Sequence, residues 1–160
     1  MRPTREPARN NGQTYFVTGQ TWQRRALFLN GPWAELFIET LHRYRKSAYL
    51  LHEFVLMPEH FHALITPVES LEKSVQYVKG GFSFRAKKDL GSNLEIWQKG
   101  FTDHRIRDEE DYEKHVHYIY SNPVKRKLSV KAIDYPYCSA FDGFELDTVS
   151  QRLKPLMVRS

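Results

Sequence analysis

Apolar residues recur along this chain in two rhythms, and the change between them marks the elements. Tyr15 to Thr21 (YFVTGQT) is strand-like, and Trp22 to Arg25 reads as a turn or strand end carrying two positive charges. Trp33, Leu36, Phe37, Leu41 and Tyr44 then recur at three- and four-residue spacing. That spacing predicts a helix from Pro32 to Lys46, with proline at a tolerated first position. Ala48 to Leu56 (AYLLHEFVL) and Phe61 to Thr66 (FHALIT) flank the short turn Met57-Pro58-Glu59 and predict an antiparallel hairpin. Ser70 can cap a second helix reaching about Asp89, with Leu71, Val75, Val78 and Phe82 on one face and Gly80-Gly81 interrupting it. A further strand falls within Ile96 to Ile106. A third helix runs from Asp108 to about Asn122, with Glu109, Glu110 and Asp111 where the helix dipole favours negative charge. The chain from Val124 reads as irregular. The order strand, helix, strand, strand, helix, strand, helix predicts an α+β ferredoxin-like sandwich, a four-stranded antiparallel sheet with one additional C-terminal helix.

With 160 residues the chain suits one domain. Its expected division is a basic arm over 1–14, a folded domain over 15–139 and a tail over 140–160. No stretch approaches the ~18 apolar residues of a membrane span. The N-terminal segment lacks the apolar core of a secretory signal. The single cysteine, Cys138, excludes an internal disulfide and fits a reducing cytoplasm. A net charge of +5 favours an anionic partner, most simply nucleic acid; the alternative is a basic protein with a solvated surface.

Candidate chemistry gathers in two places. On a strand, His60 and His62 share a face while Phe61 takes the other, so both imidazoles can reach one metal ion. A histidine pair of this kind also occurs incidentally on surfaces and in cores. On the third helix, Tyr112, Val116 and Ile119 set the buried face. Asp111, His115, Tyr118 and Asn122 occupy one flank and Tyr120 the opposite one. Tyr118 thus stands beside Asn122, whose amide oxygen can bind a cation. Pro123 predicts an end or kink at Asn122. The plainer alternatives are a tyrosine that packs and an asparagine that stops a helix.

Leu56-Met57-Pro58-Glu59 followed by His60-Phe61-His62 resembles the His-hydrophobic-His motif of the HUH nucleases. Asp111 to Val124 (DYEKHVHYIYSNPV) resembles the catalytic helix of single-tyrosine transposases, and among them the REP-associated tyrosine transposases, a domesticated bacterial branch. Trp97 to Arg107 (WQKGFTDHRIR) and Asp134 to Ser139 (DYPYCS) resemble that family's strand before the helix and turn after it. The resemblance covers about Tyr15 to Ser139. It implies that His60, His62 and Asn122 hold a divalent metal, magnesium or manganese, and that Tyr118 is the nucleophile. The implied activity is metal-dependent cutting and rejoining of single-stranded DNA in REP-type hairpins through a 5′-phosphotyrosine link. No nucleotide cofactor and no membrane are implied; the protein would act in the cytoplasm at the nucleoid, as a monomer or homodimer. A neutral ligand set leaves the cation's charge for phosphate, and imidazole suits manganese better than magnesium. Because a free phenol titrates near ~10, a neighbour such as His115 could favour the phenolate.

Candidate phosphate contacts are Arg24, Arg25, Lys79, Arg85, Lys87, Lys88, Arg105, Arg107, Lys125, Arg126 and Lys127. The rival readings are a non-catalytic single-stranded nucleic-acid-binding protein with an RNA-recognition-motif-like sheet, an inactive relative that binds without cutting, and a hydrolase that uses water.

Overall fold

The computed structural model describes residues 12–154. The basic arm expected over 1–14 therefore falls outside the described residues up to Asn11, as does the end of the expected tail from Pro155.

The elements, in order, are β1 (Tyr15–Gln20), α1 (Gly31–Arg43), β2 (Tyr49–Met57), β3 (His60–Pro67), α2 (Leu71–Leu90), β4 (Thr102–Arg105) and α3 (Glu109–Lys125). Short 3-10 turns cover Trp22–Arg24, Leu27–Leu29, Ala132–Asp134 and Gln151–Leu153. The four strands form one sheet in the order β2-β3-β1-β4, every neighbouring pair antiparallel. This is the ferredoxin-like arrangement, with α3 added. Asn30, Ser70 and Asp108 cap α1, α2 and α3 by accepting bonds from the amides of Trp33, Lys73 and Asp111.

Each sheet face buries its own core. Phe28, Phe37, Phe61, Phe82 and Trp97 pile together between the sheet and the α1–α2 layer. On the other face Val55, Met57, Leu64, Ile106, Tyr112 and Ile119 pack under α3, joined by Tyr135, Cys138 and Leu153 from the C-terminal segment. Strand alternation assigns Phe61, Ala63 and Ile65 to the first core and leaves His60, His62 and Leu64 beneath α3. In β2 a register shift between Leu51 and Glu53 changes the phase. Leu51 and Phe54 both reach the α1–α2 core, while Glu53 turns toward α3 and accepts a bond from Tyr120. Cys138 is a free, buried thiol whose pKa burial pushes up to about 11.

Two expected interruptions are absent. α2 runs unbroken through Gly80-Gly81, because Gly81 lets the Tyr44 side chain lie against the helix: a Cβ there would sit 2.6 Å from the Tyr44 hydroxyl. α3 continues past Pro123 to Lys125. A proline near a helix end removes only the bond its own amide would have made to the carbonyl four residues earlier. The carbonyls of Asn122 and Pro123 still accept from Arg126 and Leu128. The helix ends at Lys125, and two residues on Lys127 takes a left-handed φ of 59°. The segment read as a tail from Ala140 packs in its described part: Leu153 is buried, and the Asp147 carboxylate accepts from Arg45 and the Leu51 amide.

Candidate active site

β3 is a central strand, held by β2 on one side and β1 on the other, so the backbone carrying His60 and His62 is fixed from both edges. His60 pairs with Gln20 and Met57, and His62 with Thr18 and Val55. The two imidazole centroids lie 4.6 Å apart. Each ring is held through Nδ1. His62 Nδ1 lies 2.7 Å from the Thr18 hydroxyl, and His60 Nδ1 lies 3.1 Å from Glu59 Oε1. When both Nδ1 atoms carry the proton, both Nε2 lone pairs are free, and His62 Nε2 is buried with no hydrogen-bond partner among the described residues. Burial lowers the pKa of both groups. His62 falls to about 3 through burial and then the neighbouring His60 and His115, whereas at His60 the Glu59 charge partly opposes the burial effect. Both rings are therefore neutral at ordinary pH, the state in which imidazole donates a lone pair.

Tyr118 stands against His62, while His60 and Asn122 do not border the cavity that Tyr118 lines. The Tyr118 ring centroid is 5.2 Å from that of His62 and 5.9 Å from Phe16, which itself stacks on His62 at 5.0 Å. The side chain is 47% exposed, so a ligand can reach it. Tyr120 behaves differently: its hydroxyl donates to Glu53 at 2.8 Å, and burial followed by the Glu53 charge pushes its pKa upward. Of the two tyrosines, only Tyr118 faces His62. Asn122, one turn beyond, is half-buried, with its amide nitrogen buried and unpartnered among the described residues. Rotating the amide would present its oxygen in that position instead. Tyr118, His62, His115 and Phe16 line a cavity of about 460 Å³, which Lys114 and Lys125 also border.

Comparison with known proteins finds relatives in sequence and in fold. No protein-family model matches the chain. A REP-associated tyrosine transposase of Escherichia coli is 29% identical over 133 residues, covering 77% of this chain and 78% of that one. A Haemophilus influenzae protein provisionally given the same name is 32% identical over 96 residues, about half of each chain. A solved REP-associated tyrosine transposase bound to a REP hairpin superposes with a TM-score of 0.71 at 27% identity, covering 86% of this chain and 81% of that one. The chain is thus similar in sequence and in fold to REP-associated tyrosine transposases.

Several charged side chains prove to serve the fold. Lys79 donates to the carbonyls of Gln98 and Gly100 at 2.9 and 2.6 Å and lies over Trp97. Arg85 joins α2 to α1 through Glu39 and Thr40, and Arg25 donates to the Glu95 carbonyl. Lys87 and Lys88 are exposed on α2, across the sheet from the cavity. Arg105 and Arg107 are exposed around the start of α3, and Lys125 and Lys127 at its end.

Two clusters escaped the sequence reading. Glu59, 7% exposed, accepts two bonds from Arg126 at 2.8 and 3.2 Å, with Arg24 3.9 Å away. Burial would raise the Glu59 pKa, but Arg126 and His60 outweigh it and hold the carboxyl below its usual range. Asp111, expected in the first turn of α3 on the flank of His115 and Tyr118, is buried. Its carboxylate accepts from His104 Nε2 at 2.8 Å and the Arg107 amide at 2.9 Å, and lies 3.3 Å from His115 Nδ1. The ligand atoms of His104, Asp111 and His115 fall within 4.8 Å of one another. However, the two rings stack at 17°, so one ion cannot lie in both ring planes, and hydrogen bonding accounts for the group. The HFH and DYEKHVHYIYSN motifs made the first constellation readable. Nothing in local spacing links Glu59 to Arg126, 67 residues away.

Proposed function

We propose that this protein is a transposase of the REP-associated tyrosine type that cuts and rejoins single-stranded DNA bearing REP-type hairpins, with Tyr118 as nucleophile and His60, His62 and Asn122 as the ligand set for magnesium or manganese. The observation that carries the reading is the face of Tyr118 against His62, one of a neutral histidine pair whose Nδ1 atoms are already engaged. His62 Nε2, buried and unpartnered, is the kind of orphan a cation satisfies, and metal-binding histidines characteristically have the other nitrogen fixed in this way. When bound, a divalent cation would supply positive charge against the charge that grows on the non-bridging phosphate oxygens.

The protein groups have separate tasks. Thr18 and Glu59 hold the imidazoles in one tautomer and orientation. The Tyr118 oxygen attacks phosphorus; the Tyr118 O–P bond forms, the P–O3′ bond breaks, and the 3′ oxygen leaves and takes up a proton. The result is a 5′-phosphotyrosine and a 3′-hydroxyl. Because the ester bond is exchanged for another ester, a second 3′-hydroxyl can reverse the step without a nucleotide cofactor. The solved relative's REP hairpin supports hairpin DNA as the substrate. His115, bordering the same cavity, is the neighbouring group available to the phenol.

The test is cleavage of a labelled hairpin with a single-stranded extension, in manganese and in EDTA. Cutting should require the metal and disappear in His60→Ala and His62→Ala, while binding of the same DNA weakens only a few-fold. Binding lost as completely as cutting would count against a catalytic role for the pair.

A further inference from the structure

Lys114, Tyr118, Ser121 and Lys125 border one cavity because steps of four, three and four residues keep them on one face of α3. At a rise of about 1.5 Å per residue, Lys114 lies about 6 Å before Tyr118 along the axis and Lys125 about 10 Å beyond it. The tyrosine thus stands in a row between two ammonium groups. Both lysines are exposed, and neither forms an ion pair among the described residues. Below the row the floor is aromatic: Phe16 rests on His62, with the Tyr118 ring edge-on beside it. A cationic rim over an aromatic floor suits a polyanion whose bases are free to turn inward, because base faces stack on rings while phosphates seek the ammonium groups. A duplex cannot use such a floor, since its base faces are already stacked. The cavity of about 460 Å³ has room for one nucleotide unit.

We propose that this face of α3 is a track for single-stranded DNA. Lys114 and Lys125 hold phosphates on either side of the one that Tyr118 attacks, and the Phe16 floor receives one unpaired base beside it. The inference rests on Tyr118 as the nucleophile and adds what selects the strand presented to it. Lys114 has no place among the cations singled out from the sequence, and Lys125 gains a specific partner.

The test is binding without cutting, by fluorescence anisotropy in EDTA. Two DNAs are compared, a hairpin with a single-stranded extension and the same hairpin blunt-ended, against wild type, the double variant Lys114→Gln/Lys125→Gln, and the control Lys46→Gln/Lys73→Gln, two exposed lysines outside the candidate phosphate contacts. The α3 variant should bind the extended DNA more weakly and lower its salt slope by about 1.4, two single-strand phosphate contacts at ~0.7 each. Its affinity for the blunt hairpin should stay unchanged, and the control should match wild type on both DNAs. Equal losses on both DNAs, an unchanged slope, or a control that weakens as much as the α3 variant would overturn the track. Because nothing is cut in EDTA, the outcome is separable from the chemistry. Wild type that shows the extension-specific binding yet forms no tyrosyl adduct in manganese would sink the nucleophile and leave the track standing.

Discussion

At the scale of single residues, the proposed metal site rests on groups that are not themselves ligands. Thr18 and Glu59 each hold one Nδ1, so under the proposed metal role their removal should loosen the ion without removing a ligand. Thr18→Val and Glu59→Gln are each expected to weaken manganese binding about 10–100-fold, the usual cost of losing such support, with the fold intact. Titration of Mn²⁺ followed by electron paramagnetic resonance measures this directly, and unchanged affinity would deny both residues the role. Asp111 offers a separate test through pH. Burial raises its pKa, but the Arg107 amide, the His104 bond and the His104 and His115 charges outweigh burial and bring it to about 2. A carboxylate depressed on folding stabilises the protein above its unfolded value of ~3.9, and that contribution is lost as pH falls toward the folded value. Stability should therefore drop between about pH 4 and pH 2 in wild type and drop less in Asp111→Asn. Urea unfolding at a series of pH values reads the difference; parallel curves would contradict it.

The elements show where sequence patterns speak and where they fall silent. Alternation in β3 was enough to put His60 and His62 on one face, and the helical wheel of α3 to put Tyr118 beside Asn122 and away from Tyr120, because both periodicities are properties of the backbone itself; that the two surfaces meet came only from the family resemblance. The sandwich order was readable from the same periodicities. Gly80-Gly81 and Pro123 were misleading, since both signals describe an isolated helix and tertiary contacts decided the outcome. Gly81 makes room for Tyr44, whereas Gly80 faces open space. Gly80→Ala is accordingly expected to stabilise the protein by roughly 0.5–1 kcal/mol, and Gly81→Ala to lose that gain or reverse it. Thermal unfolding of the two variants decides, and equal stabilisation would show that Tyr44 yields freely. The Glu59–Arg126 pair was illegible because it joins the β2–β3 turn to the end of α3 across 67 residues. Lys79 and Arg85 looked like DNA contacts from charge alone; only the fold reveals that their hydrogen bonds are spent within it.

For the whole molecule, the sheet divides labour. Its α1–α2 face is an aromatic core, and its α3 face carries the histidines, the tyrosine and the basic row. The net charge of +5 matters to function only as far as it lies on the α3 side. DNA binding should weaken steeply with added salt, as expected where several phosphates are neutralised, and a flat response would remove the electrostatic part of the account. The account stands most directly on a covalent bond. A hairpin DNA labelled on the 3′ side of its cleavage position, incubated with manganese and denatured, should migrate attached to the protein, and digestion should place the link on Tyr118. The adduct should vanish in Tyr118→Phe and persist in Tyr120→Phe. Cleavage with no adduct, or an adduct that survives Tyr118→Phe, would contradict the assignment.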